Sequence, residues 1–398
     1  MAGSLHEERP WSNQERVSRK HDEVVKVCFV AHSAYRAMSG IGAGHIGGVE
    51  RQISLTAQWL ANHGHCVTVI VWDEGQPDEL MVKGVRVLKV CREDAGIPGV
   101  RFFVPRWSSL CGALKQANAD IYYQNCAEYV TGQVVLWARI HRRKFVYSIA
   151  SDPGCDPQLK ILGSIRERVL YRLGLKMADA VIAQTNHQRH ELRQGFNVDA
   201  AVLPMPCENP ETHEQDSIQK KGMNVLWVGR IDRIKRAEII LRVARDCPDV
   251  EFDIVGPPGT DRRYVADIQD RAKQLDNVNW HGAVDFADMS SYYRQATLFC
   301  CTSEFEGFPN TFLEAWSYGI PVVSTVDPDD VIARYNLGVA VSGPERIRET
   351  LQELVGDSER IAGMATAARQ YFSRKHQKNT AMPRFESLLE AVLQGRHE

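Results

Sequence analysis

Nowhere in the 398 residues does an apolar run approach the roughly 20 needed to span a membrane as a helix. The chain also lacks charge of one sign. Its 48 Lys and Arg stand against 50 Asp and Glu, a net of −2 that gives no overall reason to expect nucleic acid as a partner. The ten cysteines include no CxxC pair and no metal-ligand spacing. Several of them (Cys28, Cys66, Cys91, Cys300, Cys301) lie in apolar, strand-like runs, as buried free thiols do in a reducing compartment. Residues 1–22 carry no apolar stretch of the signal-peptide kind and read as a disordered leader. The expectation is a soluble, cytoplasmic protein. One basic run, Arg139-Ile140-His141-Arg142-Arg143-Lys144, reads either as a solvated helix end or as a peripheral contact with an anionic membrane surface.

What is present is alternation. Short β-forming runs (Val24–Ala31, Cys66–Trp72, Val85–Val90, Ile121–Gln124, Phe145–Ala150, Ala180–Gln184, Ala200–Leu203) are separated by helical patterns. Pro204–Gly222 is polar, holds three of the prolines and has no hydrophobic period, so it reads as a linker. The pattern then restarts with strands at Asn224–Val228, Glu251–Val255, Val278–Trp280, Thr297–Thr302 and Ile320–Ser324. The fold class expected is α/β, with two doubly wound, mainly parallel domains facing across a cleft. The expected boundaries are residues 23–205, a linker over 206–222, residues 223–372, and a terminal helix over 373–398 that could return to the first domain. A cleft between domains is a favoured ligand site.

Five segments carry candidate chemistry. In residues 297–325 a strand, a loop and a helix place Glu306 at the strand end and Glu314 eight positions later in the helix. Free N–H groups at such a helix start favour negative charge, so two carboxylates there suit neutral hydroxyls of a sugar or ribose. They equally fit an ordinary solvent-facing pair. Gly229 ends a strand, so Arg230 emerges at the sheet edge and Lys235 precedes the next helix. Together they could neutralise a diphosphate or simply be solvated. Gly42–Gly47 is a formal GxGxxG, but it starts about ten residues past its strand and Asp73 follows too late for a dinucleotide fingerprint. The other reading is a flexible loop whose Gly47-Gly48 amides meet a phosphate or an acceptor. Asp327-Pro328-Asp329-Asp330 contains a DxD, which fits a turn and helix cap better than a metal site. Asp152 and Asp156 follow the Phe145–Ala150 strand and could take a proton from a hydroxyl or order the loop.

Taken in order, these pieces resemble retaining glycosyltransferases of the GT-B fold, glycosyltransferase family 4, over residues 24–395. The resemblance rests on Gly47-Gly48-Val49-Glu50-Arg51, Leu60-Ala61-Asn62-His63-Gly64-His65, Ala178–Ala183 and Val228-Gly229-Arg230 with Lys235. It ends on Glu306-Gly307-Phe308-Pro309-Asn310 through Leu313-Glu314-Ala315, followed by Gly319–Val323. It implies a nucleotide-sugar donor (UDP-, GDP- or ADP-linked) and a glycan or lipid-linked acceptor, with no cofactor or metal required. Arg230 and Lys235 would hold the diphosphate, with Gly47, Gly48 and Gly229 close to it. Glu314 would hold the ribose, Glu306 would sit by the transferred sugar, and amides of Gly307, Phe308, Pro309-flanked Asn310 and Thr311 would contact hydroxyls or phosphates. Residues around His281–Val284 would line the base pocket. Many relatives carry a His where this chain has Ser151, leaving Ser151 or Asp152 to take part of that role. The function implied is hexosyl transfer in glycan biosynthesis. The rival readings are a GT-B epimerase, an NAD-dependent oxidoreductase and a silent nucleotide-sugar-binding subunit.

Overall fold

A computed structural model describes residues 24–40, 47–210 and 222–396. The amino-terminal half opens with β1 (Lys26–Val30), α1 (Tyr35–Ser39) and α2 (Gly48–Asn62). The hairpin side follows, as β2 (Cys66–Val71), β3 (Glu79–Val82) and β4 (Val85–Lys89). Next come α3 (Ser108–Ala117), β5 (Ile121–Asn125), α4 (Tyr129–Ile140) and β6 (Lys144–Ser148). The half closes with α5 (Ile165–Met177), β7 (Ala180–Ala183), α6 (Asn186–Phe196) and β8 (Ala201–Val202).

The second half repeats the plan with β9 (Asn224–Val228), α7 (Ala237–Asp246), β10 (Glu251–Val255) and α8 (Arg262–Ala272). It continues through β11 (Val278–Gly282), α9 (Met289–Gln295), β12 (Leu298–Cys301) and α10 (Asn310–Ser317). The end is β13 (Val322–Ser324), α11 (Val331–Tyr335), β14 (Gly338–Ala340), α12 (Pro344–Leu354), α13 (Ser358–Lys375) and α14 (Lys378–Leu393).

Two sheets result, ordered β3-β4-β2-β1-β5-β6-β7-β8 and β11-β10-β9-β12-β13-β14. All pairings are parallel except β3 with β4, which is antiparallel. Each sheet reverses its winding once, between β1 and β5 in the first and between β9 and β12 in the second. Loops diverge at such a point and leave a crevice outside the strands' carboxyl ends. The strands beside it are buried on both faces, which is why they read as continuous apolar runs. Val27, Phe29, Val225 and Phe252 have no exposed surface, and each contributes about 1.5–3 kcal/mol by leaving water.

α14 crosses back to the first half. Met382, Leu389 and Val392 join the cluster of Val27, Phe29 and Tyr123, and Glu386 pairs with His65 Nε2 at 2.9 Å. The chain thus passes between halves twice, near 205–207 and near 376–378, and the two passes bond to one another. Cys207 N–H donates to the His376 carbonyl at 2.8 Å, and Lys378 N–H donates to the Cys207 carbonyl at 2.9 Å. The buried His376 adds Nδ1–H to the Met205 carbonyl at 2.9 Å.

The leader over 1–22 and the Gly42–Ile46 part of the glycine loop lie outside the described residues, as does most of the linker. Helix α1 occupies part of the stretch expected to be a continuous loop. The basic run at 139–144 is spent at the sheet's amino-terminal edge, away from the cleft. Arg139 donates to the Met177 carbonyl, Arg143 pairs with Asp120 at 3.0 Å, and Lys144 pairs with Asp179 at 3.2 Å.

Candidate active site in the cleft

The reversal point of the second sheet brings two loops together. The β9–α7 loop carries Arg230 and Lys235, and the β12–α10 loop carries Glu306. A ladder of bonds zips them. Trp227 Nε1 donates to Thr302 Oγ1 at 2.9 Å, whose hydroxyl donates to the Lys235 carbonyl at 2.6 Å. The Arg236 guanidinium spans the carbonyls of Thr302 and Ser303 at 2.6 and 2.7 Å. Held this way, the Lys235 ammonium is bonded directly to Glu306 Oε1, while Arg230, half exposed, leans on Asp232 at 2.8 Å. The Lys235–Glu306 pair is partly buried, so its charges are less screened than those of a surface pair.

A cavity of about 370 Å³ lies above these loops, between the halves. Arg230, Lys235, Glu306 and the run Gly307–Thr311 line its floor, and Gly47, Gly48 and Arg51 face them from the start of α2. Helix α10 starts at Asn310 after Pro309 and has no side-chain cap, so its first amides are available to an anion or a hydroxyl. Two glycines allow the halves to approach. A Cβ on Gly307 would lie 2.7 Å from Gln184 Oε1, and one on Gly48 would lie 2.3 Å from Asn310 Nδ2.

Other expected residues are placed differently. Phe308 N–H, one of the amides expected to face a ligand, donates to Gln184 Oε1 across the cleft at 3.0 Å. Glu314 is doubly engaged, accepting from Tyr293 Oη at 2.5 Å and pairing with Arg51 of α2 at 2.6 Å. Asp152 Oδ1 accepts from Gln188 Nε2 at 2.9 Å. Burial of its carboxyl, only partly offset by that bond, raises its pKa above the usual range. Ser151, next to it, lines the cavity. Val284 packs against the apolar cluster under α10, and nearby Phe286 lies under the Arg51 guanidinium, 4.7 Å from carbon to ring centre. Asp327 accepts from the amides of Ile332 and Ala333 at 2.8 and 3.1 Å, which is the helix-cap role. Asp329 accepts from the amides of Asn186 and His187 in the other half at 2.6 and 3.0 Å.

Family models match both halves of the chain. Residues 47–207 match the glycosyl transferase 4-like domain, and residues 222–357 match glycosyl transferases group 1. The chain belongs to the GT-B glycosyltransferases. The amylovoran biosynthesis glycosyltransferase AmsD of Erwinia amylovora is 22% identical over 82% of this chain and 92% of its own. Against another matched relative this chain spans 61% of that protein's length. Among solved structures, a sucrose-phosphate synthase from Thermosynechococcus elongatus superposes with a TM-score of 0.76 at 16% identity, over 92% of this chain and 99% of that one. HepE of Anabaena, crystallised with UDP and glucose, gives 0.72 at 17% identity over 92% and 100%.

The glycosyltransferase has a second crevice at the reversal point of its first sheet, adjoining the first cavity through Val49, Ile53 and Asn125. Its inner chamber, about 370 Å³, holds His32, Glu50, Gln124 and Glu128. Its outer chamber, about 670 Å³, adds Arg36, Arg92 and Arg101. His32 stacks on Trp72 with ring centres 4.0 Å apart. Burial, with the Arg106 charge nearby, holds its pKa down at about 4, so the imidazole is neutral. His32 Nε2 and Arg106 Nε are both buried without a hydrogen-bond partner, which costs free energy until something fills the space. Desolvation, with Glu50 and Glu93 close by, raises the Glu128 carboxyl to about 7.

These residues were not foreseen. His32 and Glu128 lie just past strand ends but belong to no motif, and Arg51, though part of the Gly47–Arg51 motif, meets a partner that the motif does not name. The one available clue was position, one turn after a glycine pair that opens a helix at the cleft.

Proposed function

We propose that the glycosyltransferase moves a sugar from a nucleotide diphosphate to a hydroxyl of a glycan or lipid-linked acceptor, with retention of anomeric configuration. The observation that carries this reading is the meeting of Arg230, Lys235 and Glu306 at one sheet's reversal point, opposite the start of α2. Lys235 and Arg230 take the diphosphate and stabilise its growing negative charge as the glycosidic bond breaks. That supplies the charge a divalent metal supplies in other transferases, so chelation leaves the rate unchanged. Glu306 holds hydroxyls of the departing sugar, and Glu314, once free of Arg51, holds the ribose. The acceptor hydroxyl enters from the first sheet's crevice and attacks from the leaving-group side, with the phosphate oxygen taking its proton. Asp152 keeps the Ser151 loop in place beside the reacting centre. UDP in the HepE crystal supports a UDP-linked donor.

The test incubates the full chain with UDP-, GDP- and ADP-sugars and polysaccharide-precursor acceptors. Nucleotide release is followed with and without EDTA, and the product's anomeric coupling is read by NMR. Transfer with retention, unaffected by EDTA, is expected. Stabilisation by NAD and by no sugar nucleotide would overturn the reading.

A further inference from the structure

Helix α6 begins with a sequence that should cap it and is used for something else. Thr185-Asn186-His187-Gln188 has the spacing of a capping box. In that device the N-cap hydroxyl takes the amide three residues on, and that residue's side chain reaches back to the N-cap amide. α5 has both bonds. Ser164 Oγ accepts from Glu167 N–H at 3.2 Å, and Glu167 Oε2 accepts from Ser164 N–H at 3.1 Å. At α6 the first bond forms, with Thr185 Oγ1 accepting from Gln188 N–H at 3.0 Å. The Gln188 side chain then bypasses Thr185. Its Oε1 accepts from Gln184 N–H at 2.9 Å, and its Nε2 donates to Asp152 Oδ1 at 2.9 Å. A glutamate could make the first of these bonds and not the second. Gln188 has no exposed surface, and a buried carboxamide is costly unless both its ends are paired, as these are.

What the diversion holds in place is Gln184. Its amide is pinned by Gln188, and its Oε1 accepts from Phe308 N–H of the other half at 3.0 Å. That bond fixes which way the carboxamide faces, because an N–H needs the oxygen end. Nε2 is the end left over, and it has no hydrogen-bond partner among the described residues. The side chain lines the cavity together with Ser151, Glu306 and Gly307. Gly307 lets both carboxamides close on the loop, since a Cβ there would lie 2.7 Å from Gln184 Oε1 and 2.9 Å from Gln188 Nε2. An unused N–H donor is thereby set one residue away from the Glu306 carboxylate, which only accepts. A hydroxyl can donate to the one and accept from the other. A phosphate oxygen only accepts, and Glu306 and Asp152 would repel it.

We propose that Gln184 binds a hydroxyl of the transferred sugar, shared with Glu306, and that Gln188 and Asp152 are positioning residues that hold it there. The proposal rests on the nucleotide-sugar reading and adds a sugar contact from the half opposite the donor loops. Because Gln184 and Phe308 belong to different halves, the contact is complete only when the cleft is closed.

The test measures two dissociation constants by calorimetry on the full chain. One is for the best donor among the UDP-, GDP- and ADP-hexoses, and the other is for the bare diphosphate of the same nucleoside. Gln184→Glu keeps an oxygen for Phe308 N–H and removes the donor, whereas Gln184→Met removes both. In each, the ratio of the two constants should shift about three- to tenfold against the sugar nucleotide, the scale of one hydrogen bond. Taking the ratio cancels the added charge, which both ligands feel through the diphosphate. Gln188→Glu keeps the bond to Gln184 N–H but sets a carboxylate against Asp152, and should shift the ratio in the same direction. Adding Asp152→Asn to it reverses the polarity of that one bond, an amide now donating to a carboxylate, and should recover the native ratio. A loss in Gln184→Met with none in Gln184→Glu would make Gln184 a tie between the halves and overturn the proposal. So would a native ratio in Gln188→Glu, or no recovery in the paired variant. A native chain that binds none of the sugar nucleotides would remove the nucleotide-sugar reading itself, and this inference with it.

Discussion

The same topological feature, a reversal of winding, has been filled in opposite ways in the two sheets. In the second sheet the crevice is lined by full charges that neutralise each other, Lys235 with Glu306 and Arg230 with Asp232. In the first, a neutral imidazole, an indole face and a carboxyl raised to about 7 sit among charges not paired in that way, Glu50 and Arg106. A site for a charged leaving group needs fixed charges, preorganised and easily exchanged from one another to the ligand. A site for a neutral hydroxyl needs groups that can hold it by hydrogen bonds. On the function proposed above, the difference between the crevices divides one reaction into donor and acceptor tasks.

The largest effect expected is on the charged side. Lys235→Ala should lower kcat by about 10²–10³-fold, the usual cost of one charge-stabilising group, with the melting temperature little changed. Equal loss in a double variant with Glu306→Gln would show that the pair acts as a unit. A fall of under about threefold would mean that the diphosphate sits elsewhere.

On the neutral side, Glu128 lines the crevice through which the acceptor enters, so Glu128→Gln should raise the acceptor KM about tenfold at pH 8, the scale of one hydrogen bond to a charged group, and flatten the pH profile of kcat/KM. With the carboxyl at about 7, the native enzyme loses the charged form as pH falls through 7, so its kcat/KM should rise between pH 6 and 8. A variant that keeps this rise assigns the titration to another group.

Smaller still, Arg51→Met frees Glu314 without adding a charge. Donor dissociation constant should fall by about 3- to 10-fold, the scale of a partly buried ion pair that ribose must displace. A weaker donor complex would instead place Arg51 on the donor itself. The smallest effect concerns stability. His376, neutral because burial lowers it to about 4, binds a proton more readily when unfolded, near 6.5. The stability it contributes is complete above pH 6.5 and is lost progressively as pH falls towards 4. His376→Gln should flatten that part of a denaturation-versus-pH curve.

The architecture was legible because strands buried on both faces advertise themselves as apolar runs, and the charged loops of the second sheet because glycine, proline and paired charges stand out beside those runs. Strand β3 escaped notice. Its four residues alternate between exposed and half-buried, with Met81 largely in solvent, so it lacks the apolar continuity of its neighbours. Glu314 showed the limit of motif spacing, which gave its place on α10 but not its partner, Arg51, which comes from the other half. The crevice of the first sheet was illegible for the same reason. His32, Trp72 and Glu128 are brought together by three strand ends far apart in the chain, and no local pattern encodes that.

The two chain passes between halves are bonded to one another, Cys207 to His376 and Lys378 to Cys207. Had they been separate tethers, the halves could twist as well as part. Joined, they would act as a single pin, and opening of the cleft would be a swing about that line. Leverage then grows with distance from the pin. Contacts on the far lips, such as Asp329 on the amides of Asn186 and His187, must break first and travel furthest. Such a swing would leave the segment at 205–207 nearly still while the mouth of the cleft opens widest.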